Sequence, residues 1–310
     1  MVEREQTGWS VHGRSTRRND MTATARPAPR STAPAVRAHE VRVGALRLHV
    51  RDVGEPDALV VVVLHGIMGH AREWDPVVEA LASRGRRVLA IEQRGHGRSD
   101  HAGTYDARSM AADVLGVLDV LGVRRADLVG HSMGGMIGMV LAAAHPERIR
   151  HLALLDVVPD AIASPDAHEL AAWMAQLAEA RYTSVDEAVA VWLAGDPFAH
   201  PVHMRRYVEH CLREEPDGQL AWRFDGARLG RFVTDGVSAE QLWDAALRLS
   251  EPPLLVRGEH SPFVTHDAAV TFADRTGACV VTIPHAAHDL GVERPEAVVV
   301  ALDEDWAALR

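Results

Sequence analysis

Short apolar runs alternate with stretches of helical periodicity along most of the chain, and this alternation points to a fold class before any single residue is weighed. Residues 40–43, the Gly44-Ala45 pair and residues 46–50 alternate apolar and polar side chains about a turn, the pattern of a hairpin of two half-exposed strands. Six runs then read as strands covered on both faces: 60–64, 87–91, 127–129, 152–155, 254–256 and 280–283. Apolar residues recur at three- and four-residue spacing over 73–83, 107–121, 133–145, 266–275 and 295–309, the period of helices with one buried stripe. Strand and helix in turn predict an α/β fold, a mostly parallel doubly wound sheet entered through an antiparallel hairpin.

Two intervals break the rhythm. Residues 1–37 scatter Arg, Pro, Ser, Thr and Ala without period and read as a disordered N-terminal extension, with charge +4 against −14 for the remainder. They lack the apolar segment of a secretory signal; a transit peptide, a basic anchor or a true start at Met21 are the other readings. Residues 157–250 show no convincing buried strand, only helix-like segments over 169–180, 185–193, 203–213 and 239–249. They read as a helical cap inserted between two parts of a core, 38–156 and 251–310. This interval holds nine of the fifteen aromatic residues: Trp173, Tyr182, Trp192, Phe198, Tyr207, Trp222, Phe224, Phe232 and Trp243. A small insertion needs most of these to build its own core, which leaves a few, Trp173 and Trp192 among them, for a pocket wall.

Composition narrows the chemistry. No uninterrupted apolar run is longer than that at 58–64, far shorter than a membrane-crossing helix, so no membrane partner is expected. A net charge of −10 offers no basic field for a phosphate backbone, so no nucleic acid is expected either. Cys211 and Cys279 are too few for a disulfide framework and lack zinc-site spacing, which suits a reducing, cytoplasmic location. The chain has no lysine, so Schiff-base chemistry and Walker-type phosphate loops are excluded.

The candidate nucleophile is Ser132, in Gly130-His-Ser132-Met-Gly134-Gly135 between an expected strand and an expected helix. Small residues two before and two after a serine permit a strained turn that projects its hydroxyl above the sheet edge, with the following helix N-terminus favouring negative charge. The glycine spacing does not match a dinucleotide fingerprint. After the strand at 60–64 comes His65-Gly66-Ile67-Met68-Gly69, a loop that can aim a backbone N–H at the same point as the residue after the serine. The Ile67 and Met133 amides are thus the expected oxyanion donors, with His65 and Gly66 at the substrate.

Together with Glu92-Gln-Arg94-Gly95-His96-Gly97-Arg98-Ser99 and the closing Ile283-Pro-His-Ala-Ala-His288, these segments resemble the α/β-hydrolase superfamily over residues 39–310. The resemblance marks His288, separated by four residues from Glu293 with Pro295 two further on, as the general base, with His285 at the pocket rim. Relatives usually carry Asp at Glu92, a departure expected to be structural. The commonest position of the third member, in the loop Gly258-Glu259-His260-Ser261, is a serine here. A carboxylate instead follows the strand at 152–155, at Asp156, as in a subset that resembles (acetamidomethylene)succinate hydrolase, zearalenone lactonase-like enzymes and cofactor-independent heterocycle dioxygenases. Asp156 is the favoured acid and Glu259 the alternative.

These features predict a capped serine hydrolase that cleaves an ester, lactone, amide or activated C–C bond of a small, partly apolar carbonyl metabolite through an acyl-enzyme. No metal or organic cofactor is implied. Arg72, Arg205 or Arg206 could grip a substrate carboxylate. Two other readings stay open: a cofactor-independent, base-catalysed enzyme of dioxygenase or lyase type, and a non-catalytic ligand sensor.

Overall fold

The computed structural model describes residues 34–163 and 167–309. The expected N-terminal disorder lies outside the described residues for 1–33; Val36 and Arg37, expected in that extension, instead begin the first strand. β1 (Val36–Val43) and β2 (Leu46–Val53) pair antiparallel from Val36↔Val53 to Val43↔Leu46, a hairpin longer at its open end than the alternation suggests. β3 (Leu59–Leu64), α1 (Asp75–Ser83), β4 (Arg86–Ile91), α2 (Ala107–Val120), β5 (Ala126–His131), α3 (Met133–Ala144) and β6 (Ile149–Leu155) then alternate.

The interval that follows carries α4 (Ala167–Glu179), β7 (Arg181–Tyr182), α5 (Val185–Gly195), α6 (Pro201–Cys211), β8 (Leu212–Glu214), β9 (Leu220–Trp222), α7 (Gly226–Arg231) and α8 (Ala239–Ala246). It is helical in the main, but β7, β9 and β8 form a small antiparallel sheet that sequence periodicity does not reveal, because strands of two or three residues have no period to read. Its last helix, α8, packs on α3. The chain closes through β10 (Leu254–Gly258), α9 (His266–Thr276), β11 (Cys279–Ile283), α10 (Leu290–Glu293) and α11 (Pro295–Ala308).

The eight-stranded sheet has the order β1-β2-β4-β3-β5-β6-β10-β11, parallel from β4 to β11. Alternate side chains of its central strands feed two cores. Val60, Val62 and Leu64 of β3 join Leu89, Leu128 and the apolar faces of α2 and α3. Val61 and Val63 point the other way, to Trp74, Leu81 and the α11 residues Val298, Leu302 and Trp306. Burial on both faces is why these strands read as unbroken apolar runs. The exception is β11, whose Val280 is 37% exposed, because the run expected to be covered on both faces stands at the sheet edge.

This order sets the site. The carboxyl ends of β3, β5, β6, β10 and β11 lie side by side, so the loops after them, carrying Ile67, Ser132, Asp156, Ser261 and His288, converge although they span most of the chain.

Candidate active site

Ser132 links the end of β5 to the start of α3 with φ 49° and ψ −118°, a region that costs a non-glycine residue on the order of 1–3 kcal/mol. Its surroundings leave little choice. The Ser132 N–H donates to the Leu155 carbonyl (3.0 Å), and its carbonyl accepts from the Gly135 and Met136 amides at the head of α3 (2.9 and 3.1 Å). A Cβ at Gly134 would fall 2.5 Å from the Leu64 carbonyl oxygen, so only glycine lets the helix press against the end of β3.

One strand over, Asp156 also has a positive φ, 51°, and its N–H donates to the Val256 carbonyl (2.7 Å). Its buried carboxylate accepts three hydrogen bonds. Gly258 N–H meets Oδ1 at 3.0 Å, while the Ser261 hydroxyl and His288 Nδ1–H meet Oδ2 at 2.6 and 2.7 Å. Gly258 is again obligatory, since a Cβ there would lie 1.9 Å from the Ala287 carbonyl oxygen. The structure therefore pairs His288 with Asp156. Glu259, the alternative acid, is solvent-exposed and accepts from the His285 amide (3.0 Å), which holds its carboxyl below the usual range. Ser261, at the position where the resemblance implies an acid, donates to the Asp156 carboxylate instead.

His288 is held from several sides. The Glu293 carboxylate accepts from the Ala287 and Asp289 amides, the latter at 2.8 Å, so it clamps the backbone on both sides of the histidine. Burial and the neighbouring Asp196 and Asp289 charges raise the Glu293 pKa to about 7, against the lowering effect of those two amides. His131 Nε2 lies 2.9 Å from the His288 carbonyl oxygen, which can only accept, so Nε2 carries the proton. Burial, then the charge of His288, hold His131 neutral with a pKa near 3. Burial also works against protonation of His288 itself, but the hydrogen bond and charge of Asp156 outweigh it, and the His288 pKa is raised. Glu293 entered the sequence reading only as a signature, and Ser261 only as a missing acid; their structural work depends on contacts between loops.

The loop after β3 is braced from below. His65 Nδ1–H donates to the Gly66 carbonyl (2.7 Å) and its Nε2 accepts from the Gln93 amide (3.0 Å). His96 Nδ1–H donates to the Arg94 carbonyl (2.9 Å) and its Nε2 accepts from Met68 N–H (3.2 Å). Burial lowers both pKa values, His96 to about 4. His65 is thus turned into the protein and is absent from the described cavity wall, contrary to its expected place at the substrate; Gly66 does line the wall. Glu92 has the expected structural role, accepting from the Arg98 amide at 2.6 Å.

Above Ser132 lies a cavity of about 580 Å³. Ile67, Met133, Met136, Val157, Trp173, Trp192, Tyr207 and Phe232 give it apolar walls, and Ser132, Asp156 and His288 its polar floor. Trp173 and Trp192 are where sequence placed them, while Trp222, Phe224 and Tyr182 are buried in the core of the inserted segment. Met133 opens α3, and among the described residues neither its amide nor that of Ile67 has a backbone acceptor. No arginine lines the described wall. Arg72 pairs with Asp75 (3.1 Å) and Arg205 with Asp186 (2.5 Å), so neither is placed to grip a substrate carboxylate in the cavity.

Comparison with known proteins agrees with this fold. A family model described as alpha/beta hydrolase fold matches residues 60–295. Esterase Rv0045c of Mycobacterium tuberculosis is 30% identical over 77% of this chain and 80% of its own. The 2-(acetamidomethylene)succinate hydrolase of Mesorhizobium japonicum is 29% identical over 84% of this chain and 92% of its own. A crystal structure of E-2-(acetamidomethylene)succinate hydrolase superimposes with a TM-score of 0.76 at 25% identity, covering 87% of this chain and 98% of that one.

Proposed function

Because this chain belongs to the α/β-hydrolase fold family and is a hydrolase of that type, we propose that it works as a serine hydrolase with a Ser132, His288, Asp156 triad beneath a largely helical cap. The observation that carries this reading is the 2.7 Å hydrogen bond from His288 Nδ1 to a buried Asp156, at the floor of the cavity that Ser132 also lines. That bond leaves Nε2 of the neutral imidazole as the free base. In the proposed cycle Nε2 takes the Ser132 proton and the alkoxide adds to a substrate carbonyl. The Ile67 and Met133 amides receive the oxyanion, and His288 returns the proton to the leaving group. Water, deprotonated by the same Nε2, then adds to the acyl carbonyl, and Ser132 leaves as His288 returns that proton to its oxygen. Asp156 stabilises the imidazolium in both half-reactions.

The cavity wall supports a neutral substrate, apolar on its acyl side: an ester, lactone or related acyl compound of modest size. The succinate named in one relative's substrate carries carboxylates, and a site for it needs a cation; this chain has no lysine and no arginine on the described wall. Exposure to a small fluorophosphonate followed by peptide mass mapping tests the reading. One adduct on Ser132, lost in His288→Ala, together with turnover of neutral short-chain esters, is the expected result. A folded protein that neither forms the adduct nor hydrolyses esters overturns it, and substantial turnover in Ser132→Ala would favour base catalysis with an orienting serine.

A further inference from the structure

On the outer side of the same two loops, three side chains with metal-ligating atoms gather where the proposed chemistry does not use them. Glu259 and His260 follow β10 directly, and His285 follows β11, the neighbouring parallel strand. One ligand atom from each, a carboxylate oxygen and two imidazole nitrogens, lies within 4.8 Å of the other two, and Glu259 Oε2 is 3.5 Å from His260 Nε2. Ligands around a tetrahedral zinc ion, at about 2.1 Å from the metal, stand on the order of 3.4 Å apart. The Glu259–His260 edge already has that length, and a small rotation of exposed side chains closes the other two.

We propose that Glu259, His260 and His285 form a surface site for a divalent transition-metal ion, Zn²⁺ or Ni²⁺, that bridges the loops after β10 and β11. The donor set selects the metal class: two imidazoles and one carboxylate suit zinc, nickel or copper, whereas magnesium and calcium take oxygen. The fourth position falls to water, since all three residues are solvent-exposed.

The backbone is already arranged for this. Glu259 N–H donates to the Ile283 carbonyl (2.9 Å), His260 N–H to the Ala286 carbonyl (2.8 Å) and His285 N–H to Glu259 Oε2 (3.0 Å), so the two loops keep register without an ion. The His260 ring lies flat on Phe198, centroids 4.9 Å apart and planes 11° from parallel, which removes much of its rotational freedom. Each constraint lowers the ordering cost of binding. The bridge also joins elements that matter to the reaction: Ser261, next to His260, donates to Asp156, and His288 is three residues past His285. An ion here ties the loop that holds the acid to the loop that holds the histidine.

The test uses full-length, tag-free protein stripped with chelator, then titrated with Zn²⁺, Ni²⁺ and Mg²⁺ by calorimetry, with Co²⁺ absorption reporting coordination. One equivalent of Zn²⁺ or Ni²⁺ should bind with micromolar affinity and raise the melting temperature, with no response to Mg²⁺. His260→Ala, His285→Ala and Glu259→Gln should each weaken binding at least tenfold while circular dichroism shows an intact fold. The inference is overturned if no ion binds below millimolar concentration or if all three variants bind as the parent does. It also fails if binding is lost in His288→Ala instead, because His131, His288 and Asp289 form the competing cluster inside the cavity. Binding is read without turnover, so the result stands apart from the outcome of the hydrolase test.

Discussion

Removing one hydroxyl, in Ser261→Ala, tests the arrangement around the acid more sharply than removing the acid. Ser261 Oγ donates to Asp156 Oδ2 at 2.6 Å, the same oxygen that receives His288 Nδ1–H at 2.7 Å, and both Ser261 and Asp156 are buried. A hydrogen bond to a charged acceptor contributes about 1.5–3 kcal/mol to holding that carboxylate in place, so where the acid loses its orientation toward His288 kcat/KM for a neutral ester should fall, by about 150-fold at most. The hydroxyl oxygen also accepts from the Phe263 and Val264 amides (3.2 and 2.9 Å), so a urea titration is needed alongside to separate a loosened turn from an altered acid. The pH profile distinguishes the two. Hydrolysis requires neutral His288, so kcat/KM rises with pH through the His288 pKa. Asp156 has raised that pKa against the opposing effect of burial, placing the midpoint above the ordinary imidazole value of about 6.5. Without Ser261 the carboxylate charge is less dispersed and attracts the imidazolium more strongly, so the midpoint moves further up. In Asp156→Asn the attraction is gone and the midpoint moves down. A Ser261→Ala enzyme with unchanged rate and midpoint would refute the claim that this serine supports the acid.

Four further outcomes follow from the same geometry. Asp156→Asn should lower kcat by about 10³–10⁴-fold, as loss of a triad carboxylate does, whereas Glu259→Gln assayed in chelator should lose less than tenfold; equal losses would reassign the acid. Gly134→Ala should fail to fold or lose several kcal/mol in urea unfolding, since its Cβ would sit 2.5 Å from the Leu64 carbonyl oxygen; a mild effect would mean the elbow is loosely packed. Glu293 is protonated more readily folded than unfolded, with a raised folded pKa of about 7, so it contributes a fall in stability as pH rises from about 4.5 to 7. Glu293→Gln should flatten that part of the stability profile measured by thermal melts, and an unaltered slope would show that other groups produce it. Neutral esters should exceed their ω-carboxylate analogues in kcat/KM by at least tenfold, and the reverse preference would place a cation at the cavity that the described wall lacks.

How much of this was legible in the sequence depends on the distance over which each feature acts. The strands at 60–64 and 87–91 could be read because every side chain in them meets a core on one face or the other, and the elbow could be read because its glycines are required within five residues of Ser132. Periodicity could not say which strand stands at an edge. The run at 280–283 therefore looked as buried as the central strands, and only the sheet order exposes it. His65 looked like a substrate contact because it precedes the oxyanion loop, but hydrogen bonds to Gly66 and to Gln93, twenty-eight residues away, turn its ring inward. Ser261 is the extreme case. Read alone it is an acid that is not there, yet it is 105 residues from the carboxylate it supports, and the two meet because β6 and β10 are neighbours. The same adjacency one strand further on brings His285 to Glu259, so the pairing of strand ends that completes the acid also creates the cluster outside it. Residue types and local spacing thus determine which chemistry is available, while strand order decides which of those groups act together.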